Sequence, residues 1–311
     1  MLRQAQNEVV IEGILSEVDI KKGSYIKNGE TIETIGGTVK IRVDQTINNN
    51  PVICEIPVSV FSQRYNKEGK ESGIYKAIET VSNELVSIAA AGNEEDADRV
   101  RISGSSRFAN GNIQMNEYYN SSGNLVSFPR IHASFINRIR KDECKPKATF
   151  TLEFAIASMD YEIDSDGVQT DKYLIKAIVP QYGGRVDIVP LYAYNPNVID
   201  TISNSWQEKD TVLAKGRLNF SAKTETYIED LGFGEAEEKT RTINTSELII
   251  TGGAPEPREG DFVFDVEEIQ QALTERKVRL DELKEKTTNG AKVRKAPVPP
   301  TVAKGFDDLG F

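Results

Sequence analysis

Val52-Ile53-Cys54-Glu55-Ile56-Pro57-Val58-Ser59-Val60-Phe61, a helix-period stretch from Ile74 through Ile88, and Arg99-Val100-Arg101-Ile102-Ser103-Gly104 are the three segments that decide the fold. The first is β-branched, and Pro57 suggests an edge or a bulge because proline has no N–H for a ladder. In the second, Ile74, Ala77, Ile78, Val81, Leu85 and Ile88 recur at i, i+3 and i+4, one apolar stripe on a helix, with Gly92 as its stop. The third returns to strand chemistry. Upstream, Val9 to Val18 reads as a strand bent at Gly13. A polar loop follows, and then Thr38-Val39-Lys40-Ile41-Arg42-Val43 alternates with period two, placing Lys40 and Arg42 on one face. Downstream, Asn112 to Tyr119 and Leu125 to Phe128 are strands, with turns at Asn110-Gly111 and Ser122-Gly123.

The order then recurs. Ala148 to Ala157, Asp171 to Pro180 and Arg185 to Ala193 read as three strands, followed by a short helix (Val198, Ile199, Ile202, Trp206) and the strand Thr211 to Phe220. Val100-x-Ile-x-Gly104 is loosely matched by Val212-x-Ala-x-Gly216, a duplication of structure more than of sequence. Three strands, a helix and further strands is the order of the OB-fold, a small Greek-key barrel. The expected fold class is therefore mainly β: two tandem OB-like Greek-key barrels, followed by a C-terminal helix and a disordered tail. The expected domains are residues 1–146 and 147–257, an amphipathic helix over 261–287, and a linker with tail over 288–311. The helix stripe (Val266, Ile269, Leu273, Leu280, Leu283) suits docking on the protein's own body or self-association.

The net charge of −10 argues at first against nucleic acid, whose phosphates repel an acidic protein. Where the charge lies matters more than its sum. Residues 1–148 carry 19 Lys+Arg and 19 Asp+Glu, whereas residues 149–260 carry 10 and 19. The acidic excess sits in the second half, around Asp160–Asp171 and a loop-like run over Glu225–Glu238. The first half can thus hold a basic face.

Several chemistries are disfavoured. The two cysteines, Cys54 and Cys144, show no CxxC spacing, so no disulfide framework, zinc ribbon or iron–sulfur site is expected. The lone histidine, His132, makes a histidine-based metal site or triad a poor fit; a surface or groove-lining role suits it better. No phosphate-cradling glycine motif occurs. Glu162, Asp164, Asp166 and Gly167 mimic the start of a calcium loop, but Tyr173 stands where its bidentate Glu belongs, so a hairpin turn is expected. No metal and no cofactor are expected. With no signal-like apolar N-terminus and no 18-residue apolar run, a cytoplasmic protein without membrane partners is expected.

The last residues, Gly305-Phe306-Asp307-Asp308-Leu309-Gly310-Phe311, follow a Pro-rich basic segment. Acidic residues ending in an apolar aromatic form a bait: carboxylates meet a partner's cations while Phe311 fills a pocket. This ending resembles that of bacterial and phage single-stranded-DNA-binding proteins, which combine OB-folds, a flexible linker and an acidic tail ending in Phe. Gly310 replaces the usual Pro, and a two-barrel chain resembles a divergent, phage-encoded type. The resemblance implies a non-catalytic protein that coats single-stranded DNA. It also implies that replication or recombination proteins are recruited through Asp307, Asp308, Leu309 and Phe311.

Binding a single strand needs cations for phosphates and flat rings for bases. In the first half, Lys40, Arg42, Phe61, Arg64, Tyr65, Arg101, Arg107, Phe108, Tyr118, Tyr119 and Arg130 are candidates, with His132 beside them. In the second, Lys176, Tyr182, Arg185, Tyr192, Tyr194, Lys215 and Arg217 are candidates, with Phe220 split between core and platform. Tyr118 and Tyr119 must face opposite sides of a strand. The competing expectations are a structural or assembly β-protein, such as a virion component without DNA binding, and a metal-dependent nuclease.

Overall fold

The computed structural model describes residues 2–103, 111–164, 166–229 and 237–288. The chain is mainly β. In order, it forms β1 (Asn7–Lys27), β2 (Glu30–Ile47), β3 (Asn50–Gln63), α1 (Gly73–Glu84), α2 (Ile88–Ala91), β4 (Arg99–Ile102), β5 (Gly111–Tyr119), β6 (Leu125–Ala133) and β7 (Asn137–Ile139). The second half forms β8 (Lys147–Ile163), β9 (Gln169–Pro180), β10 (Val186–Ala193), α3 (Pro196–Ser205), β11 (Thr211–Glu229), β12 (Glu237–Gly253) and α4 (Val266–Thr288).

These strands join into one 12-stranded sheet among the described residues. In the second half the pairings return to their start: β8–β9, β9–β10, parallel β10–β12, β12–β11 and β11–β8. The first half repeats the order: β1–β2, β2–β3, parallel β3–β6 and β6–β5, with β4 on β1. Gly216 shows why the sequence bends where it does. A Cβ there would stand 2.4 Å from the Phe150 ring, so only glycine lets β11 cross β8 this closely. Its counterpart Gly104 lies outside the described residues.

Three readings need correction. The expected polar loop before Thr38 is strand: β1 and β2 run on as a hairpin arm, paired from Ile14↔Arg42 out to Lys27↔Glu30. The loop-like run after Glu225 is strand as far as Glu229 and again from Glu237, held by ladder bonds that charge composition does not reveal. The expected helix to Ile88 breaks after Glu84, where Leu85 turns extended, and restarts at Ile88 behind the Ser87 cap. Gly92 ends it in the left-handed region, at φ 77°.

The halves share one core. Asn7–Glu12 of β1 pair with Lys147–Leu152 of β8, and Ser221 of β11 meets Cys54 of β3. Polar groups pin the seam. The Asn7 amide donates to the Ile113 carbonyl at 2.7 Å and accepts from the Ile113 N–H at 2.9 Å. Buried Asp187 accepts from the Met115 N–H and from Gln181 Nε2, both at 3.1 Å.

The α4 helix docks on this body. Ile269, Ala272 and Leu280 are buried, each large side chain contributing about 2 kcal/mol. Arg276 pairs with buried Glu117 of β5, Arg279 reaches the same carboxylate at 3.8 Å, and Lys284 lies over the Tyr119 ring. Among the described residues no helix is long and apolar enough to cross a membrane.

Candidate nucleic-acid interface

The alternation of buried and exposed positions fixes which side chains leave the first-half sheet. In β2, Val39, Ile41 and Val43 point in, so Lys40 and Arg42 point out. In β3, Cys54, Ile56, Val58 and Val60 point in, leaving Pro57 and Phe61 outward, with Ser59 between them on the same face but itself buried. In β6, Ile131 and Ala133 point in, leaving Phe128, Arg130 and His132 outward. Registers place these in rows: Glu17–Lys40–Pro57, Thr38–Ser59–His132–Asn112, and Gly36–Phe61. Gln114 sits opposite Arg130, Asn116 opposite Phe128 and Tyr118 opposite Val126.

The groups on this face are unequal. Lys40 is spent on Glu17 at 2.6 Å, and Arg42 on Asp44 at 3.1 Å and on Glu94. Arg130 differs. It is half-buried, no ion pair joins it among the described residues, and burial alone lowers its guanidinium pKa. Burial, and then the charge of Arg130, lower the His132 imidazole, against a hydrogen bond to the Ser59 backbone. His132 is therefore neutral at pH 7. Phe61 is 53% exposed. A Cβ at Gly36 would stand 3.0 Å from its ring, so the ring lies over the glycine and turns its other side to solvent. Tyr118 meets Phe128 edge to face at 6.5 Å, which fixes a second aromatic group beside Arg130.

The other first-half candidates are placed elsewhere. Tyr119 faces α4, opposite to Tyr118. Arg64 pairs with Glu33 at 2.6 Å and Glu71 at 3.3 Å, and stacks near exposed Tyr65. Arg101 is bound to buried Glu12 at 3.1 Å. Arg107 and Phe108 lie outside the described residues, as do Asp307, Asp308, Leu309 and Phe311.

The second-half candidates do not form a matching surface. Tyr192 and Tyr194 flank Lys172, whose ammonium pairs with Glu247 at 3.0 Å and Glu162 at 3.7 Å. The Tyr194 hydroxyl donates to Glu247 at 2.9 Å. Burial, followed by the nearby carboxylates, pushes both phenols above their ordinary value. Arg217 donates to the Thr46 carbonyl and braces the turn between β2 and β3. Phe220 is core. Lys176, half-buried, stands opposite Pro190, and Lys215 is exposed on β11 opposite Thr151. Tyr182, 86% exposed, and Arg185 sit on the β9–β10 turn. Among the described residues no three His, Cys, Asp or Glu side chains cluster as metal ligands.

Sequence reasoning missed Gln114, Asn112, Asn116 and Phe128. The signal was present, because Asn112-x-Gln114-x-Asn116-x-Tyr118 is a polar period-two ladder in an otherwise apolar hairpin. Lys172 was missed as well, and its partner Glu247 is 75 residues away.

Among solved structures, the wild-type single-stranded DNA binding protein from Thermus aquaticus is similar at 10% identity. It covers 83% of this chain and 96% of its own, with a TM-score of 0.49. A deletion mutant of the single-stranded DNA binding protein from Thermus aquaticus is similar at 11% identity, 83% and 97% coverage, and a TM-score of 0.48. No curated protein matches the sequence. The family model YorF matches residues 5–286, nearly the whole described body, and the chain belongs to the YorF family.

Proposed function

We propose that this chain is a non-catalytic protein of the cytoplasm that coats single-stranded DNA with little sequence preference. On this reading it recruits replication or recombination proteins through its C-terminal residues. The observation that carries the proposal is the outward β2-β3-β6-β5 face. There the half-buried Arg130, which has no ion pair among the described residues, stands on one face with the exposed ring of Phe61 and the Tyr118–Phe128 pair. A guanidinium without a carboxylate answers a phosphate, and open rings answer unpaired bases, at about 1–3 kcal/mol per stacked base. Two OB-like barrels, over 1–146 and 147–257, are part of the same proposal. The closed pairing order of β8 to β12, its parallel β10–β12 closure and its echo in the first half support them.

Fluorescence titration with oligo-dT of several lengths at two salt concentrations tests this directly. Binding is expected to weaken with salt, to be poor for duplex, and to leave labelled DNA intact with Mg²⁺ or Mn²⁺. A chain that fails to retard a long single strand at low salt overturns the proposal, and cleavage overturns its non-catalytic part.

His132 adds a pH signature. Its folded pKa lies below the ordinary 6.5, and a phosphate nearby stabilises the imidazolium, so the complex takes up a proton. Affinity is expected to rise as pH falls from 7 to 5.5, by up to roughly tenfold for each pKa unit gained on binding. His132→Gln should flatten the profile over that window. Because the chain has one histidine, a profile that persists in the variant removes the phosphate from this position.

A further inference from the structure

The β11–β12 hairpin is longer than its body needs. The last tie of β11 to β3 is Ser221↔Cys54, but the antiparallel register with β12 continues from Ala222↔Asn244 to Glu229↔Glu237. Those eight pairs, at about 3.3 Å each, carry the arm roughly 26 Å outward. One face pairs threonines, Thr224↔Thr242 and Thr226↔Thr240; the other joins Glu225 to Arg241 at 3.2 Å, with Arg241 over the Tyr227 ring. A ribbon polar on both faces buries little and stabilises nothing beyond itself. Its use is to present what joins its ends.

What joins them is legible in the sequence. Residues 229–233 read Glu229-Asp230-Leu231-Gly232-Phe233, and the chain ends Asp307-Asp308-Leu309-Gly310-Phe311. Four consecutive residues are identical and the fifth is acidic in both. The recurrence of that particular four-residue string in a chain of this length is expected by chance in roughly one case in a few hundred at ordinary amino-acid usage. The internal copy lacks a terminal carboxylate, but Gly234-Glu235 follows Phe233 in sequence and supplies a carboxylate two residues on; residues 230–236 lie outside the described residues.

We propose that residues 229–235 are a second copy of the recruiting peptide, carried at the end of the β11–β12 arm. The partner it fits is a protein whose apolar pocket is rimmed by Lys or Arg, the same chemistry that receives the chain end; this rests on the reading of the C-terminus as a bait. One molecule then offers such a partner two footholds. A dimeric or clustered partner would hold both at once, and avidity multiplies affinity without new kinds of contact.

The test begins with an immobilised synthetic peptide of residues 300–311, and the protein it retains from an extract of the cells in which the chain is naturally made is purified as the probe. Its affinity is measured for the full chain, for the chain lacking residues 305–311, and for that shortened chain with Phe233→Ala. All three are checked for equal thermal midpoints and equal oligo-dT binding, so that a folding defect is not mistaken for lost recruitment. Removal of the chain end should weaken binding about tenfold without abolishing it, and Phe233→Ala should remove at least a further tenfold. A shortened chain that no longer binds, or one indifferent to Phe233→Ala, overturns the second copy while leaving the bait intact. A column that retains nothing overturns the bait itself, and the second copy with it.

Discussion

Arg130→Glu is expected to weaken oligo-dT binding about 100-fold at moderate salt, with the chain still folded. Removing one phosphate contact costs about 1.5 kcal/mol, roughly tenfold, and reversing its sign adds repulsion of similar size. Arg130→Ala should therefore lose about tenfold and lower the salt slope by about 0.7, the share of one phosphate on a single strand. Arg130→Ala should not destabilise the protein, because Arg130 is a half-buried charge with no ion pair among the described residues and burial works against it, and Arg130→Glu exchanges one such charge for another. Arg42, Arg64 and Arg217 make the contrast. Their guanidiniums already hold Asp44, Glu33 and the Thr46 carbonyl, and alanine at each should move affinity less than about threefold. Titrations of the five variants at two salt concentrations decide the matter. Wild-type affinity in folded Arg130→Glu would sink the assignment of this face.

The contrast between Arg130 and the other arginines shows where sequence reading stops. Element order was legible because it is written in local periods: the stripe of α1, the Gly92 cap, the short α3 and the long α4 all follow from i, i+3 and i+4 spacing and cap chemistry. The outward direction of Lys40 and Arg42 was legible for the same reason. Whether a cation is free was not, because that depends on partners remote in sequence. Arg101 and Arg130 look alike along their strands, yet Glu12, 89 residues earlier, neutralises the first and nothing described neutralises the second. Tyr192 and Tyr194 look like stacking rings until Lys172 and Glu247 close over them. The length of the hairpin arms was hidden too. Polar, two-sided ribbons carry no burial signal, and register alone holds them.

Glu12 is the position where a lost candidate becomes a stability prediction. Its side chain is 5% exposed, forms ion pairs with Arg101 at 3.1 Å and Lys147 at 2.9 Å, and accepts from the Lys145 N–H at 3.2 Å. It stands where β1 passes from β4 to β8, so three segments of both halves converge on one carboxylate. Burial alone would raise its pKa, but Lys147, Arg101 and the Lys145 N–H outweigh burial and hold it below the ordinary 4.5. Glu12→Ala leaves the Lys145 N–H without its carboxylate acceptor and two cations without their partner. Arg101 and Lys147 keep 37% and 45% of their side-chain surface in water and can rehydrate. The expected loss is accordingly about 2 kcal/mol, less than for a fully buried pair. The pH dependence follows from the sign of the shift. A carboxyl with a lowered folded pKa binds fewer protons folded than unfolded, so its contribution is complete above pH 4.5 and fades as pH falls through the folded value. Urea unfolding at pH 7 and pH 3.5 should show the wild type losing more stability than Glu12→Gln over that interval. Equal losses in the two proteins would mean that the junction draws nothing from the charge of Glu12.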